Sequence, residues 1–563
     1  MQSETKTCQN CKKDFIIEPD DFGFYEQMEV PAPTWCPRCR LLRRLAPFGY
    51  RILYKGKCAF TDEDVITFYH PESGYKLYKQ EIWHSDKWDP RDYGRNYDFE
   101  KSFFEQFADL MKEVPKPALH TEYTTMINSE YCNAASDVKN CYLCFKFDRS
   151  EECAYCNTCS DLKNCFDVSY SNHAELCYEG VNLEKCYQTF FSQECGDCHD
   201  VWFSKDLIGC SNCVGCINLR SKNYHIFNEP YSKEEYEKIF KEYDFGSVAN
   251  VSEFEKKAEK FMLKYPRRQF HGRKNTNVSG DYIYNSKNVL NSYWVDEGED
   301  IKYSQLLQAM NTAKAYDYTS FAYNAEWIYE SAWVGINTSN VKFSFWNYRA
   351  HDIEYCFGCH GAGNMFGCDG VRKGNYCILN KQYSKEEYGQ LVEKIKQQMT
   401  QVPYVDKLGR EYRYGEFFPP EFLPWAYNES HAQEFYPSNK EDVLQKGFIW
   451  RDDDSREYKE ATSEVPDHIK DVDDNILKEI LKCTDCNKNY QIIGKELQFL
   501  KRFNLPIPIR CPLCRDRAKI SRLNPMEVYD RKCAKCDEDI KTSYAPDRPE
   551  TVYCEKCYQD EVA

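Results

Sequence analysis

Cysteine recurs at regular steps in the first half of the chain, and this repeat restricts the fold more than any other feature. Between positions 130 and 216 the steps are of nine and twelve residues, and SDVKNC at 136–141 returns as SDLKNC at 160–165, a period of 24. Short apolar runs alternate with corners rich in Asp, Asn and Lys. A period of about 20 to 25 residues built in this way is typical of a solenoid. Because the runs are too short for helices, we predict a parallel β-solenoid over residues 129–228.

A second copy of this solenoid follows the first. YCNAASDVKNCY at 131–142 matches YIYNSKNVLNSY at 282–293 when 151 is added to each residue number. The shift becomes 152 where YSKEEY occurs in both copies, and each YSKEEY contains the Ser and Glu of a helix capping box. We therefore expect the second solenoid over residues 279–380, with a helix after each copy.

The duplication also indicates what the solenoid cysteines do. Cys132 and Cys177 of the first copy align with Ile283 and Ile328 of the second. A metal ligand cannot be exchanged for an aliphatic side chain, whereas free Cys is a common small buried hydrophobe. Most of the fourteen cysteines at 132–216 are therefore predicted to be core.

Twelve other cysteines form three sets of four at the two ends of the chain. The sets are Cys8, Cys11, Cys36 and Cys39; Cys483, Cys486, Cys511 and Cys514; and Cys533, Cys536, Cys554 and Cys557. Each set has two CxxC pairs, the spacing of a tetrahedral four-cysteine zinc site that leaves no position open for water or substrate. The sets predict about three structural zinc ions per chain and no catalytic residue.

The two ends of the chain are copies of each other. Adding 475 to the residue numbers places the first four-cysteine set on the second without a gap and matches Arg40 with Arg515. It also matches Cys58 with Cys533, but Thr61, Lys79 and Ile82 stand where the other three ligands of that site would be. We expect Cys58 to be packed rather than metal-bound, and Trp83, Trp88 and Tyr69 to hold this degenerate module together.

Residues 5–44 and 480–519 resemble the zinc-ribbon (treble-clef-like) modules of uncharacterised bacterial proteins. The shared pattern is a CxxC followed by an aromatic residue, a Phe-containing stretch and then CPxCR. The whole chain also resembles long Cys- and Tyr-rich bacterial proteins with such modules at their ends. The resemblance implies metal binding at both ends, and it brings no reaction or substrate.

Together these patterns predict a mainly β fold with helical connectors, in which a duplicated parallel β-solenoid is flanked by small four-cysteine zinc-ribbon modules. The expected segments are a zinc-ribbon module (1–46), a degenerate zinc module (47–98), a helical connector (99–128), the first solenoid (129–228), a second helical connector (229–278), the second solenoid (279–380), a helix with an extended acidic linker (381–475), and two further zinc-ribbon modules (476–525 and 526–563).

The last turns of the second solenoid contain four more cysteines. Cys356, Cys359, Cys368 and Cys377 are close enough in sequence to form a fourth metal site. The alternative is a packed end of the solenoid. A zinc content near three per chain would argue against the extra site, and a content of four would support it.

Residues 36–57 are strongly basic and contain no acidic residue. Their arginines are Arg38, Arg40, Arg43, Arg44 and Arg51. An exposed basic face with neighbouring aromatic residues can bind phosphates and stack bases, so one hypothesis is binding of RNA or another nucleic acid. The alternative is that these arginines pair with distant carboxylates, since the chain has 74 basic and 90 acidic residues and a net charge of −16.

Two other functions remain open from the sequence. The solenoid can bind a protein or a glycan along its outer face, with purely structural zinc sites. A weaker alternative is a polysaccharide-acting β-helix enzyme that uses carboxylates such as Asp161, Asp167, Glu175 and Asp317. The sequence lacks HExxH, GxSxG and P-loop motifs. We therefore expect a non-enzymatic zinc-binding scaffold or interaction protein, with RNA or a protein as partner.

The first residues, MQSETKTCQNC, show no basic segment followed by an apolar one, and no apolar run is long enough to cross a bilayer. We therefore expect no secretory signal and no membrane partner. The expected location is the cytoplasm, where cysteines stay reduced.

Overall fold

The backbone of the first solenoid turns at every third residue. In this computed structural model, which describes residues 2–452 and 460–562 with the side chains of 308–310 left aside, a left-handed φ recurs at every third position from Ala134 to Phe227. Asp, Asn and Gly, which tolerate this conformation best, occupy many of these corners. Four three-residue sides close each coil, so that the parallel registers Tyr187↔His199 and His199↔Ser211 advance by twelve positions. The 24-residue period of the sequence is therefore two coils.

In all but the last coil, the residue after a left-handed corner points into the lumen of the solenoid. All fourteen cysteines of the first solenoid belong to its core and are at most 3% exposed, and all except Cys132 directly follow such a corner. Their sulfurs lie against backbone carbonyls, and the Cys156 Sγ is 3.5 Å from the oxygens of both Ala154 and Cys165. These cysteines are core residues, as the comparison of the two copies predicted.

The second solenoid has the same construction with less regular coils. Its parallel registers advance by 12 between Ile283 and Val295, by 14 between Ile301 and Ala315, and by 13 between Ile328 and Val341. The mainly β fold with a duplicated parallel solenoid is confirmed.

The strands fall into four groups. The first solenoid contains Met126–Ile127, Asn133–Lys139, Phe145–Glu151, Asn157–Ser160, Tyr187–Phe190, His199–Trp202, Ser211–Val214, Asn223–Ile226 and Glu229–Pro230. The second contains Gly272–Arg273, Thr276–Tyr284, Lys287–Lys302, Gln305–Tyr323, Ala325–Gly335, Thr338–Lys342, Phe345–Tyr348, His351–Glu354, Gly363–Phe366, Asn375–Ile378 and Lys381–Gln382. Hairpins of the terminal modules pair Glu4–Thr7 with Asp14–Ile17, Tyr54–Lys57 with Asp64–Thr67, Leu481–Lys482 with Asn489–Tyr490, and Tyr529–Lys532 with Asp539–Thr542. The remaining pairs are Leu77–Tyr78 with Lys116–Pro117, Arg267–Arg268 with Val552–Tyr553, and Tyr404–Val405 with Glu411–Tyr412.

Short helices lie outside the solenoids. They are α1 (Pro19–Gln27), α2 (Pro37–Leu45), α3 (Gln80–Trp83), α4 (Phe103–Glu113), α5 (Lys233–Glu242), α6 (Val248–Met262), α7 (Lys385–Gln401), α8 (His431–Phe435), α9 (Lys440–Gln445), α10 (Gly494–Phe503), α11 (Pro512–Ser521) and α12 (Glu555–Val562).

Both solenoids end in the same cap. A short antiparallel strand follows the last coil, with Ile226 opposite Glu229 in the first copy and Ile378 opposite Lys381 in the second. The capping boxes predicted before α5 and α7 are present, since Ser232 and Ser384 each accept a hydrogen bond from the backbone of the residue three positions later. The antiparallel strand and helix cover an edge that would otherwise pair with another chain.

The segment after α7 is packed, not extended as predicted for residues 381–475. Tyr412, Phe417 and Trp425 are buried. Tyr412 contacts Trp35 of the first module, and Trp425 contacts Phe68 of the degenerate module and Phe345 of the second solenoid. Its aromatic residues explain the difference, because they bury more apolar surface than an extended linker allows. The expected linker contains the acidic run DDDSRE at 452–457. Residues 453–457 of this run lie outside the described residues.

Candidate metal centres and the helices that dock them

Each of the three predicted four-cysteine sets converges on one point. Within each set the four sulfurs lie within 4.8 Å of one another. The distances Cys11 Sγ–Cys36 Sγ, Cys486 Sγ–Cys511 Sγ and Cys536 Sγ–Cys554 Sγ are all 3.7 Å. A tetrahedral shell with metal–sulfur bonds of about 2.3 Å places its sulfurs about 3.8 Å apart. The donor set and its spacing therefore fit a tetrahedral thiolate-bound metal ion.

The local backbone prepares these cysteines to bind as thiolates. In the first two sets the second CxxC starts a helix, with Cys36 at the N-cap of α2 and Cys511 at the N-cap of α11. The positive end of a helix favours a thiolate, but burial and the neighbouring cysteines raise the pKa of Cys36 and of Cys511 to about 11. Burial raises the pKa of Cys483 and Cys533, but backbone N–H donors outweigh it and lower the pKa values to about 7 and about 6.

The degenerate module keeps the fold of a metal site without its ligands. The backbone N–H of Lys79 donates to Cys58 Sγ at 3.3 Å, where the N–H of Cys554 donates to Cys533 Sγ at 3.2 Å in the C-terminal copy. Cys58 is buried, as are Trp83, Trp88 and Tyr69. Packing therefore replaces metal in this module, as the sequence predicted.

The four cysteines proposed as an extra site lie in the lumen of the second solenoid. Cys356, Cys359, Cys368 and Cys377 are fully buried in its core cluster. Their spacing follows the coil, so they are distributed along the lumen instead of around one point. Among the residues that the structure describes, the convergent metal-ligand sets are the three terminal ones. The prediction of a fourth site is therefore replaced by its alternative, a packed end of the solenoid.

The basic stretch does not form an exposed face. Arg40, Arg43 and Arg44 of α2 are at most 1% exposed. Arg40 and Arg44 each bind Asp317 of the second solenoid at 2.8 Å. Arg43 binds Glu416 at 2.8 Å and also Glu330 at 2.5 Å. These carboxylates neutralise the three cations, which are not accessible to phosphates.

The other two arginines of the stretch are also engaged. Arg51 binds Glu434 at 2.5 Å and contacts Asp516. Arg38 is exposed, and its guanidinium lies 3.2 Å from the ring centroid of Tyr436. The prediction of a basic face that binds nucleic acid is therefore wrong in its geometry, and pairing with distant carboxylates is confirmed.

The C-terminal module repeats this arrangement on the first solenoid. Arg515 of α11 binds Asp167 at 2.8 Å, and Lys519 binds the same carboxylate at 3.3 Å. In the alignment of the two ends, Arg515 and Lys519 are the counterparts of Arg40 and Arg44.

The preceding helix of each module supplies an aromatic ring to the same interface. Phe24 of α1 stacks on Tyr316 with ring centroids 3.9 Å apart, and its counterpart Phe499 of α10 packs on Phe166 at 4.7 Å. Phe166 and Tyr316 directly precede the two buried aspartates, Asp167 and Asp317.

Each terminal module therefore docks on the solenoid that is farther from it in the sequence. The N-terminal module (residues 2–46) docks on the second solenoid, and the C-terminal module (residues 480–525) docks on the first. Sequence reasoning named Asp167 and Asp317 among the carboxylates of the enzyme alternative and did not predict that they bind the terminal modules. Both occupy left-handed corners, with φ of 56° and 54°, and the signal that could have revealed them is that each solenoid has an Asp after an aromatic residue at such a corner.

Comparisons with known proteins assign no family. No protein-family model matches the chain, and no curated protein matches it. One solved structure, described as a putative acetyltransferase from Desulfovibrio desulfuricans G20, aligns with 53% of this chain and 75% of its own at 10% identity, with a TM-score of 0.11. A TM-score this low carries no argument about fold or activity. Among the described residues, no helix is long and apolar enough to cross a membrane.

Proposed function

We propose that this protein is a non-enzymatic scaffold in which structural zinc sites hold two terminal modules crosswise on a pair of β-solenoids. The observation that carries this proposal is the repeated clamp, in which a helix that begins at a CxxC of a four-cysteine set carries cations that bind a buried Asp of the solenoid. A closed four-thiolate shell supports folding and offers no site for a substrate. The solenoid faces left uncovered by the modules are the binding surfaces of the scaffold.

Zinc is the metal that this donor set favours. Four thiolates in a tetrahedral arrangement suit zinc, and iron is the main competitor for such a site. The resemblance to bacterial zinc-ribbon modules also supports zinc. The proposal includes a cytoplasmic location, where reduced thiols persist, and it no longer includes nucleic acid, because the arginines on which that hypothesis depended are buried or engaged by other side chains.

The crossed geometry makes the test specific. Replacing Cys39 with Ser removes a ligand of the N-terminal module, and replacing Cys514 with Ser removes its counterpart in the C-terminal module. Each variant should lose one zinc ion. Because α2 docks on the second solenoid, Cys39→Ser should speed hydrogen exchange around Asp317, whereas Cys514→Ser should speed it around Asp167.

Cys58→Ser is the matched control, since Cys58 stands in a copy of the same fold without a metal shell. It should keep the zinc content of the native protein and leave exchange at both aspartates unchanged. The proposed clamp is wrong if Cys39→Ser speeds exchange in the first solenoid and Cys514→Ser speeds it in the second, or if neither variant changes exchange in either solenoid.

A further inference from the structure

A polar groove runs between the outer side of the second solenoid and helix α7. Its lining includes Lys342, Asp352, Glu354 and Asn364 from the solenoid and Tyr388 and Lys396 from the helix. The hollow has a volume of about 210 Å³. It continues past Lys396 and Glu393 into a second hollow of about 640 Å³, lined by Thr400, Gln401 and Tyr414 among others. The two hollows share one side and form an elongated groove.

The first solenoid has aromatic rings at the equivalent positions. In the alignment of the two copies at YSKEEY, Lys342, Glu354 and Val392 correspond to Phe190, Trp202 and Phe240. Phe190 stacks on Trp202 at 4.1 Å, and Trp202 contacts Phe240 at 5.3 Å. These three rings form an aromatic plug between the first solenoid and α5.

The second copy lacks this plug and has charged side chains in its place. Lys396 Nζ lies 2.8 Å and Lys342 Nζ 3.6 Å from the same oxygen of Glu354. Gly389 stands in α7 where α5 has Glu237, which further widens the entrance. The edge of the groove is the same in both copies, since Asp352, Asn364 and Tyr388 match Asp200, Asn212 and Tyr236. The residues that would fill the groove differ between the copies.

The chemistry of the groove indicates the class of ligand. Two lysines (Lys342 and Lys396) and four acids (Glu29, Asp352, Glu354 and Glu393) line the two hollows, so the formal charge of the groove is −2 and neither a polyanion nor a polycation is favoured. The lining includes amide, ammonium and carboxylate groups, which can donate to and accept from hydroxyl groups. Tyr388 adds a ring of the kind that packs against apolar sugar faces. Tyr414 also lines the groove, and Lys396 Nζ lies 4.8 Å from its ring centroid.

We propose that this groove binds a neutral oligosaccharide, with the hydroxyl groups held by Asp352, Asn364 and the Lys342–Glu354–Lys396 cluster. The elongated shape suits several sugar units better than one. The proposal depends on the scaffold role described above, and it assigns a class of ligand to the second solenoid of that scaffold.

The test is calorimetric titration of the zinc-loaded full-length protein with neutral hexasaccharides (maltohexaose, cellohexaose, xylohexaose and chitohexaose), and with hexagalacturonate and a hexapeptide as comparators. At least one neutral hexasaccharide should bind with a saturable heat. The double variant Lys342→Phe/Glu354→Trp copies the plug of the first solenoid and should weaken that binding at least tenfold. Asp200→Asn, at the corresponding edge of the first solenoid, should change affinity less than twofold.

Zinc content separates this proposal from the scaffold proposal, because the groove variants should keep the zinc content of the native protein whether or not they bind sugar. If the double variant fails to fold, Gly389→Glu serves instead, since a Cβ at this position meets no atom within 4 Å. The proposal is overturned if no neutral hexasaccharide binds at millimolar concentration, if only the acidic sugar or the peptide binds, or if the folded plug variant binds as well as the native protein.

Discussion

Replacing Asp317 with Asn tests whether the buried ion pairs hold the N-terminal module on the second solenoid. Asp317 forms ion pairs with Arg40 and Arg44 at 2.8 Å each, and all three side chains are almost completely buried. Asn has nearly the same shape and tolerates the left-handed φ of 54° at this corner. The substitution therefore removes the negative charge with little change in backbone or packing, and leaves two cations without their shared carboxylate.

Removing one partner of a buried ion pair costs about 3–5 kcal/mol. At about 1.4 kcal/mol per factor of ten, this cost corresponds to a factor of at least about 100 in the equilibrium for undocking the module. Hydrogen exchange of the α2 amides, measured by mass spectrometry, should speed up by about that factor until the undocked state dominates. The first solenoid should keep its native exchange rates.

Asp161→Asn provides a control with the same bond length. Arg149 and Asp161 also pair at 2.8 Å, but their side chains are 59% and 27% exposed. An exposed pair contributes at most about 1 kcal/mol, or roughly a factor of five in exchange. If Asp317→Asn and Asp161→Asn change local exchange to the same small extent, burial does not give the clamp its strength and the reasoning fails.

Two further predictions concern the junction of the solenoids and the lumen. Burial alone would lower the pKa of His271, but the carboxylates of Asp281 and Glu194, from the two solenoids, raise it to about 9. The stability that charged His271 adds is therefore full below about pH 6.5 and is lost as the pH rises through 9. The difference in thermal midpoint between the native protein and His271→Gln should shrink over this pH range. A constant difference would contradict the raised pKa of His271. Cys177→Ile, which copies Ile328 of the second solenoid, should keep the native zinc content and lower the unfolding free energy in urea by about 1–3 kcal/mol, because Ile is larger than Cys. Loss of zinc would show that Cys177 is a ligand.

The three four-cysteine sets were predictable from the sequence because their signal is local. A CxxC pair is a turn that presents two thiols, and two such pairs specify a four-cysteine shell. The lumen was predictable for another reason, since the second copy replaced Cys132 and Cys177 with Ile283 and Ile328. The twelve-residue coil was not recognised, because SDVKNC recurs only in every second coil and thus doubles the apparent period.

The docking contacts were beyond local reasoning. Arg44 and Asp317 are 273 residues apart in the chain, and Arg43 and Glu416 are 373 apart. A basic stretch without nearby acids has the same local pattern whether it faces solvent or distant carboxylates. Only the fold distinguishes the two, because it brings the second solenoid and the segment after α7 against α2.

The metal content of the native chain tests the central claim most directly. Twelve cysteines converge in three four-cysteine shells, and the other nineteen are the buried lumen cysteines and Cys58. Native mass spectrometry of protein purified without added metal should therefore show three zinc ions per chain. Four or more zinc ions would mean that lumen cysteines also bind metal, and a chain that stays folded without zinc would contradict the role of the terminal sites.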